Sequence, residues 1–457
     1  MSRRQDRLPD RRFALLWQFE TFPIRNNFSL HFTKLFPDSD ISSGHPTTRQ
    51  NSTMSLRKFL ISVLALASAS WAVDDPAKDA SPYHKEFVLF HSANMASPDK
   101  LASGVGFHSF RIPAVVRTAT GRILAFAEGR RYTNEDFGDI NLVYKRSKTT
   151  TDNGENPDDW ESLREVVGTG PGTWGNPTPV VDGNTIYLFL SWNGGEYSQN
   201  GNNVLPDGSV TKKIDSTSAG RRHLYLINST NDGDTWSTPQ DMTATLTPED
   251  WAWDAVGPGN GIKLTSGELV VPANGRNIVG RGTPGARTWT MQLLTGAGSE
   301  GTIAQTPNGN LYRNDRAAKD VNYRKVARGT LADGFGDFGV DTGLPDPACE
   351  GSVLLYNLDS PARVIFMNSA NPDSRQHMRV RISYDTDAAK FDWGRELSDA
   401  KLTGAGNEGG YSSMTKTADF KIGALVESDF DEGGNLSHRA IFWRRFNLSW
   451  ILNGPNN

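Results

Sequence analysis

Short apolar runs recur along this chain, each closed by a cluster of Gly, Asp or Asn, and helical periodicity is nearly absent. The clearest runs are RILAFAEGR (122–130), INLVYKRS (140–147), TIYLFLSWN (185–193), HLYLINST (223–230) and ELVVPANGR (268–276). VLLYN (353–357), RVIFMNSA (363–370), RVRISYD (379–385), KIGALVES (421–428) and RAIFWRRF (439–446) follow. Several alternate apolar and polar residues, the period of a half-buried strand. The fold class is therefore all-β. Hydrophobic residues make up 37% and charged residues 22%, which supplies a large core and excludes a disordered chain. The 45 glycines and 24 prolines suit a turn-rich fold.

One turn is repeated. Ser229-Thr-Asn231-Asp-Gly233-Asp-Thr235-Trp236 fits the Asp-box pattern S-x-D/N-x-G-x-T-W. In such a box the Asx side chain bonds local backbone, Gly permits positive φ, and Trp anchors the turn in the core. Looser copies run from Ser147 to Trp160 and from Ser383 to Trp393. The box starts lie about one repeat step and two steps apart, which points to a six-bladed β-propeller with Asp-box turns at roughly 64 residues per blade. No Pro-rich or low-complexity linker divides residues 73–457, so they are expected to form a single domain. The boxes themselves are structural and carry no chemistry.

Residues 54–72, MSLRKFLISVLALASASWA, read as a secretory signal. Arg57 and Lys58 form the positive region, Phe59 to Ala67 the apolar stretch, and Ser70-Trp71-Ala72 the small-x-small cleavage site. The apolar stretch is far shorter than the roughly 20 residues of a membrane span. The expectation is a secreted, extracellular protein starting near Val73, with translation from Met54 and residues 1–53 an artefact of the gene model. Asn228, Asn435 and Asn447 open glycosylation sequons.

The leader holds ten Lys/Arg and five Asp/Glu, so the remainder carries 38 basic against 47 acidic residues, net −9. No basic field is left for nucleic acid or an anionic membrane. The single cysteine, Cys349, excludes an intrachain disulfide framework and reads as a small buried residue; eight scattered His without HExxH give no metal motif. No metal, organic cofactor or obligate protein partner is expected.

Chemistry concentrates in Phe110-Arg111-Ile112-Pro113, AFAEGRR (125–131) and EDFGDINLVYKRS (135–147). Taken alone, Arg111 reads as a strand-capping surface arginine and Asp136 and Asp139 as turn residues around Gly138. Further along come Glu300-Gly-Thr-Ile, GNLYRNDR ending at Arg316, Asn371-Pro-Asp-Ser-Arg375 before RVRIS, and Gly409-Gly-Tyr411-Ser-Ser. In that order they resemble the sialidase (neuraminidase) family of glycoside hydrolases, from residue 107 to about 446. The likeness is especially close to secreted filamentous-fungal sialidases, which include enzymes preferring KDN, the deaminated sialic acid.

The resemblance implies a retaining exo-α-sialidase acting on terminal sialic acid of sialylated or KDN-bearing glycans. It casts Arg111, Arg316 and Arg375 as the three arginines, Tyr411 as nucleophile, Glu300 as its base and Asp136 as acid/base. Guanidinium forks suit the substrate carboxylate. A neutral phenol can approach an anomeric carbon that already bears negative charge, and sialidases are the tyrosine exception among glycosidases. Asp139, directly before a strand, competes with Asp136 but reads as a turn residue. Arg130 or Arg131 is expected on the C4 side, Gln199 and Arg222 at the glycerol tail, and Trp174 with Asn176 on the pocket wall. The flanking glycines and serines place Tyr411 in an open loop. Two other readings are a non-catalytic sialic-acid-binding propeller and an enzyme that transfers sialic acid to another sugar. The presence of Tyr411, Glu300 and Asp136 together speaks against the first.

Overall fold

Antiparallel pairing of consecutive strands accounts for nearly all regular structure in the computed structural model, which describes residues 75–168, 170–397, 408–428 and 440–455. The leader and the Asn435 sequon lie outside these residues.

The first meander is Ser109–Arg117, Ile123–Arg130, Ile140–Arg146 and Arg164–Val167; the second is Gly172–Asp182, Thr185–Gly194, His223–Ser229 and Gln240–Asp241. One parallel pair, Ile140 with Thr173, joins them into an eight-stranded sheet. The third is Ile262–Lys263, Leu269–Ala273, Arg276–Thr283 and Ala286–Leu293. The fourth runs Gly301–Gln305, Leu311–Asp315 and Tyr323–Thr330, and both Gly334–Phe335 and Gly339–Pro345 pair with that third strand. The fifth is Gly351–Asn357, Arg363–Ser369, Met378–Ser383 and Trp393–Glu396. In the last sheet, Glu408–Lys416, Ile422–Ser428 and Ala440–Phe446 are completed by His84–His91 from the other end of the chain.

Apolar side chains pack between successive sheets. Phe126, Leu142 and Tyr144 meet Ile186, Leu188 and Ile227. Phe189 and Leu226 meet Val271 and Ile278, Val270 meets Ile303 and Leu311, and Tyr312 meets Val364 and Phe366. Ile365, Met367 and Ile382 then meet Met414 and Ala424, and Leu425 and Trp443 return to Phe110 and Val115. The first strands of neighbouring meanders also touch, and Glu408–Lys416 lies against Ser109–Arg117.

Three of these first strands bulge near their starts. Pairing slips between Arg111 and Ala114, between Gly175 and Thr178, and between Glu408 and Ser412. Ile112 and Asn176 both sit at φ 57°. For a β-branched residue before proline that is a strained conformation.

The Asp box has the expected geometry. Asn231 Oδ1 accepts from Thr235 N at 3.0 Å, Ser229 Oγ accepts from Gly233 N at 2.9 Å, and Gly233 has φ 74°. Trp236 packs on Phe126 and Tyr144 of the preceding meander. In the copy at Ser147, Asp152 and Gly154 take these roles and Trp160 packs on Trp443. In the copy at Ser383, Ala388 supplies the positive φ. All three boxes link a third strand to a fourth. One run differs from expectation: ELVVPANGR is not one strand, because Asn274-Gly275 turns between Leu269–Ala273 and Arg276–Thr283.

Candidate active site

Alternation of strand direction puts first-strand starts and second-to-third connections at one end, opposite the Asp boxes. That end holds a cleft of about 490 Å³. Arg111, Arg130, Asp136, Gln199, Arg222, Glu300, Arg316, Arg375 and Tyr411 all line it. Six cationic and four acidic side chains form its wall, so the net-negative chain concentrates positive charge there.

Local pairing explains the closest contacts. Gly301 pairs with Asp315, and one step further Arg316 N donates to Glu300 O at 2.7 Å. The two side chains therefore emerge side by side. Arg316 Nη1 donates to Glu300 Oε2 at 2.8 Å and to Tyr411 Oη at 2.9 Å, and Tyr411 Oη donates to Glu300 Oε1. Burial and the Glu300 charge push the Tyr411 phenol well above its ordinary pKa, against the pull of Arg316 and Arg375. The guanidiniums of Arg111 and Arg375 lie 5.4 and 5.3 Å from the Tyr411 ring centroid. Arg375 is carried by the turn before Met378–Ser383, and no carboxylate among the described residues pairs with it. Arg111 and Arg316 each have a carboxylate partner, so Arg375 is the least committed of the three motif arginines.

Tyr411 is not in an open loop. It is 5% exposed and belongs to the strand Glu408–Lys416. The neighbouring glycines serve the bulge: a Cβ on Gly410 would come 2.6 Å from Glu427 Oε2.

Glu427 went unnoticed in the sequence, yet it ties the two motif segments together. Its carboxylate accepts from Arg111 Nε and Nη2, each at 3.2 Å, from Ile112 N at 2.7 Å and from Tyr411 N at 3.0 Å. Glu128 does the same on the other side. Its Oε2 accepts from Arg130 Nε at 3.1 Å and Nη2 at 2.7 Å, and its Oε1 from Asn176 N at 3.0 Å. Both are acidic residues inside otherwise apolar strand runs, which was the available signal, because such charges are almost never buried unpaired.

Asp136 is carried by the loop between Ile123–Arg130 and Ile140–Arg146, with its side chain 75% exposed to the cleft. Its Oδ1 lies 2.7 Å from Arg130 Nη2 and 3.2 Å from Arg111 Nη1. Desolvation opposes its ionisation, but Arg130, Arg111 and Arg375 prevail and hold the carboxyl well below the usual range. Asp139 faces a separate small recess beside Arg131.

The remaining expectations divide. Arg222 Nη1 bonds Asn193 Oδ1 at 2.6 Å, Nη2 bonds Asn176 Oδ1 at 3.0 Å, and its guanidinium stacks 4.7 Å from Trp253. Asn176 does line the cleft. Trp174 does not: it packs on Trp192 and Tyr225 in the core, and Trp253 is the lining tryptophan. Arg131 stacks on Tyr132 outside the cleft, so Arg130 alone is placed for ligand. Cys349 is fully buried against Ile112 and Tyr411, where burial pushes its thiol up to about 12.

A model of the BNR repeat-like domain matches residues 121–425. An exo-α-sialidase of Aspergillus fumigatus is 72% identical over 406 residues, spanning 88% of this chain and 100% of that protein. An exo-α-sialidase of Arthroderma benhamiae is 72% identical over 410 residues, with the same coverage. The intramolecular trans-sialidase from Ruminococcus gnavus, solved with oseltamivir carboxylate, is similar at a TM-score of 0.62 and 16% identity. That match covers 80% of this chain and 98% of the other, and it is a likeness of fold.

Proposed function

Since this chain belongs to the exo-α-sialidase family of glycoside hydrolases, we propose that it is a secreted, retaining sialidase working through a covalent tyrosyl intermediate. The contact of the Tyr411 phenol with Glu300 and Arg316 carries this reading. Arg111, Arg316 and Arg375 hold the carboxylate of a terminal sialic acid. Glu300 takes the phenolic proton as Tyr411 Oη bonds to the anomeric carbon, and Asp136 protonates the departing glycosidic oxygen. Asp136 then takes a proton from water, the water oxygen replaces Tyr411 on the same carbon, and Glu300 returns its proton to the phenolate. Two displacements retain configuration.

Arg130 and Arg111 favour the ionised form of Asp136. A substrate carboxylate competes for those arginines, which raises the affinity of Asp136 for a proton as the site fills.

The architecture we propose is a six-bladed β-propeller over residues 73–457. It is supported by successive meanders of four or five strands, by apolar packing that returns from the last sheet to the first, and by contact between neighbouring first strands. Secretion rests on the leader at 54–72, and KDN preference on the likeness to the fungal subgroup. Turnover of matched aryl glycosides of KDN and N-acetylneuraminic acid decides the latter.

The decisive experiment uses a 2,3-difluorinated sialic acid, whose glycosyl-enzyme forms faster than it hydrolyses. Peptide mass spectrometry is expected to find the adduct on Tyr411 and to lose it in Tyr411→Phe. An adduct on a carboxylate, or none with the active enzyme, overturns the reading.

A further inference from the structure

Asp136 is faced by Arg130 and Arg111, with Arg375 behind them, and Arg222 feels its charge across the cleft. Two of these cations have a buried carboxylate of their own. Arg111 is held by Glu427, and Arg130 is held by Glu128.

Glu128 is 4% exposed and both its oxygens are committed. One takes the Asn176 N–H from the bulge of the second meander; the other takes two N–H groups of Arg130. The fit is close, since a Cβ on Gly175 would lie 2.2 Å from Glu128 Oε1. Arg130, itself 2% exposed, also donates to Asn134 O in the Asp136 loop. Its guanidinium thus bridges a fixed carboxylate and the exposed one.

We propose that Glu128 is a positioning residue for proton transfer: by pairing with Arg130 it fixes that cation against Asp136 and offsets its charge, and so sets how readily Asp136 takes up a proton. This rests on the reading of Asp136 as the acid/base. An uncompensated Arg130 would stabilise the ionised form of Asp136 further and starve the first step of its acid.

The test is the pH dependence of kcat/KM for a sialyl-lactose and for an aryl sialoside with a good leaving group, in Glu128→Gln, Arg130→Gln and Asp136→Asn. A general acid must be protonated, so activity falls as pH rises through its pKa. Glu128→Gln is expected to move the alkaline limb for sialyl-lactose down by about half to one pH unit. At pH 7 the loss is expected to be about 3- to 10-fold on sialyl-lactose and under about 2-fold on the aryl sialoside. Arg130→Gln removes the cation and is expected to move the limb upward. It carries the test alone should Glu128→Gln fail to fold. An unmoved limb, or equal loss on both substrates, overturns the proposal while Asp136→Asn still discriminates between them. If Asp136→Asn costs both substrates equally, the acid/base assignment itself has failed and this inference falls with it.

Discussion

Two buried glutamates under the strand that carries Tyr411 do different work. Glu427 accepts from Arg111, Ile112 and Tyr411 and is 0% exposed; without it, Arg111 keeps a desolvated charge with no other buried carboxylate bonded to it among the described residues. Glu427→Ala is expected to cost about 3–5 kcal/mol in denaturant unfolding and to abolish turnover. Glu350 accepts the Ser412 N–H at 2.8 Å with one oxygen, while the other has no hydrogen-bond partner among the described residues. Burial pushes its carboxyl well above the ordinary range, which favours the neutral form. Glu350→Gln is therefore expected to keep activity within about 3-fold, whereas Glu300→Gln, which removes the proposed base, is expected to lose several orders of magnitude. Comparable losses in the two variants would contradict this assignment. The arginines and Tyr411 were legible because short motifs carry them. Glu427 was not, because its meeting with Arg111 depends on packing between sheets, whereas Glu128 and Arg130 lie two residues apart on one strand. Trp174 misled for a related reason: its neighbours in GTWGNP line the cleft, but alternation along the strand turns the indole inward.

Second and third strands of most meanders were legible in the sequence, and most first strands were not. His223–Ser229 keeps a half-buried alternation, while Ser109–Arg117 is buried at every position but its last. A strand covered on both faces has no period-2 signal, and prolines inside Ser109–Arg117 and Gly172–Asp182 disguise them further. Pro113 and Pro177 sit in the bulges, where the ladder is already broken, while Pro179 lies beyond its bulge and pairs with Leu188. Another element makes a prediction about modification. Asn447 caps the helix Leu448–Leu452: its Oδ1 accepts from Trp450 N at 2.9 Å and from Tyr83 N at 3.0 Å, and its Nδ2 donates to Ser81 O at 2.9 Å. A glycan on Nδ2 would compete with its bond to Ser81 O and crowd the cap. Glycopeptide mapping of active protein is expected to find Asn447 bare, and Asn447→Ala to cost about 1 kcal/mol. Full occupancy in active protein would refute that role.

For the molecule as a whole, the critical junction lies where His84–His91 pairs with Ala440–Phe446. His84 stacks 4.7 Å from Trp450, and burial, then Arg444 and Arg395, depress its pKa to about 3. Glu86, 3.6 Å from the imidazole, is itself engaged by Arg444. The unfolded chain takes up this proton near pH 6.5 and the folded one does not, so the stabilisation is intact above that pH and drains away as pH falls toward 3. Melting temperature is expected to fall by several degrees between pH 7 and 5, and His84→Phe to flatten that slope; an unchanged slope would remove His84 from the account. The same junction has a consequence for biosynthesis. A ribosome delivers the His84 segment hundreds of residues before its partner exists, so the nascent protein must carry an unsatisfied edge until synthesis is almost finished. A stop codon ahead of Ala440 would leave that edge permanently open, and with it a chain prone to aggregate.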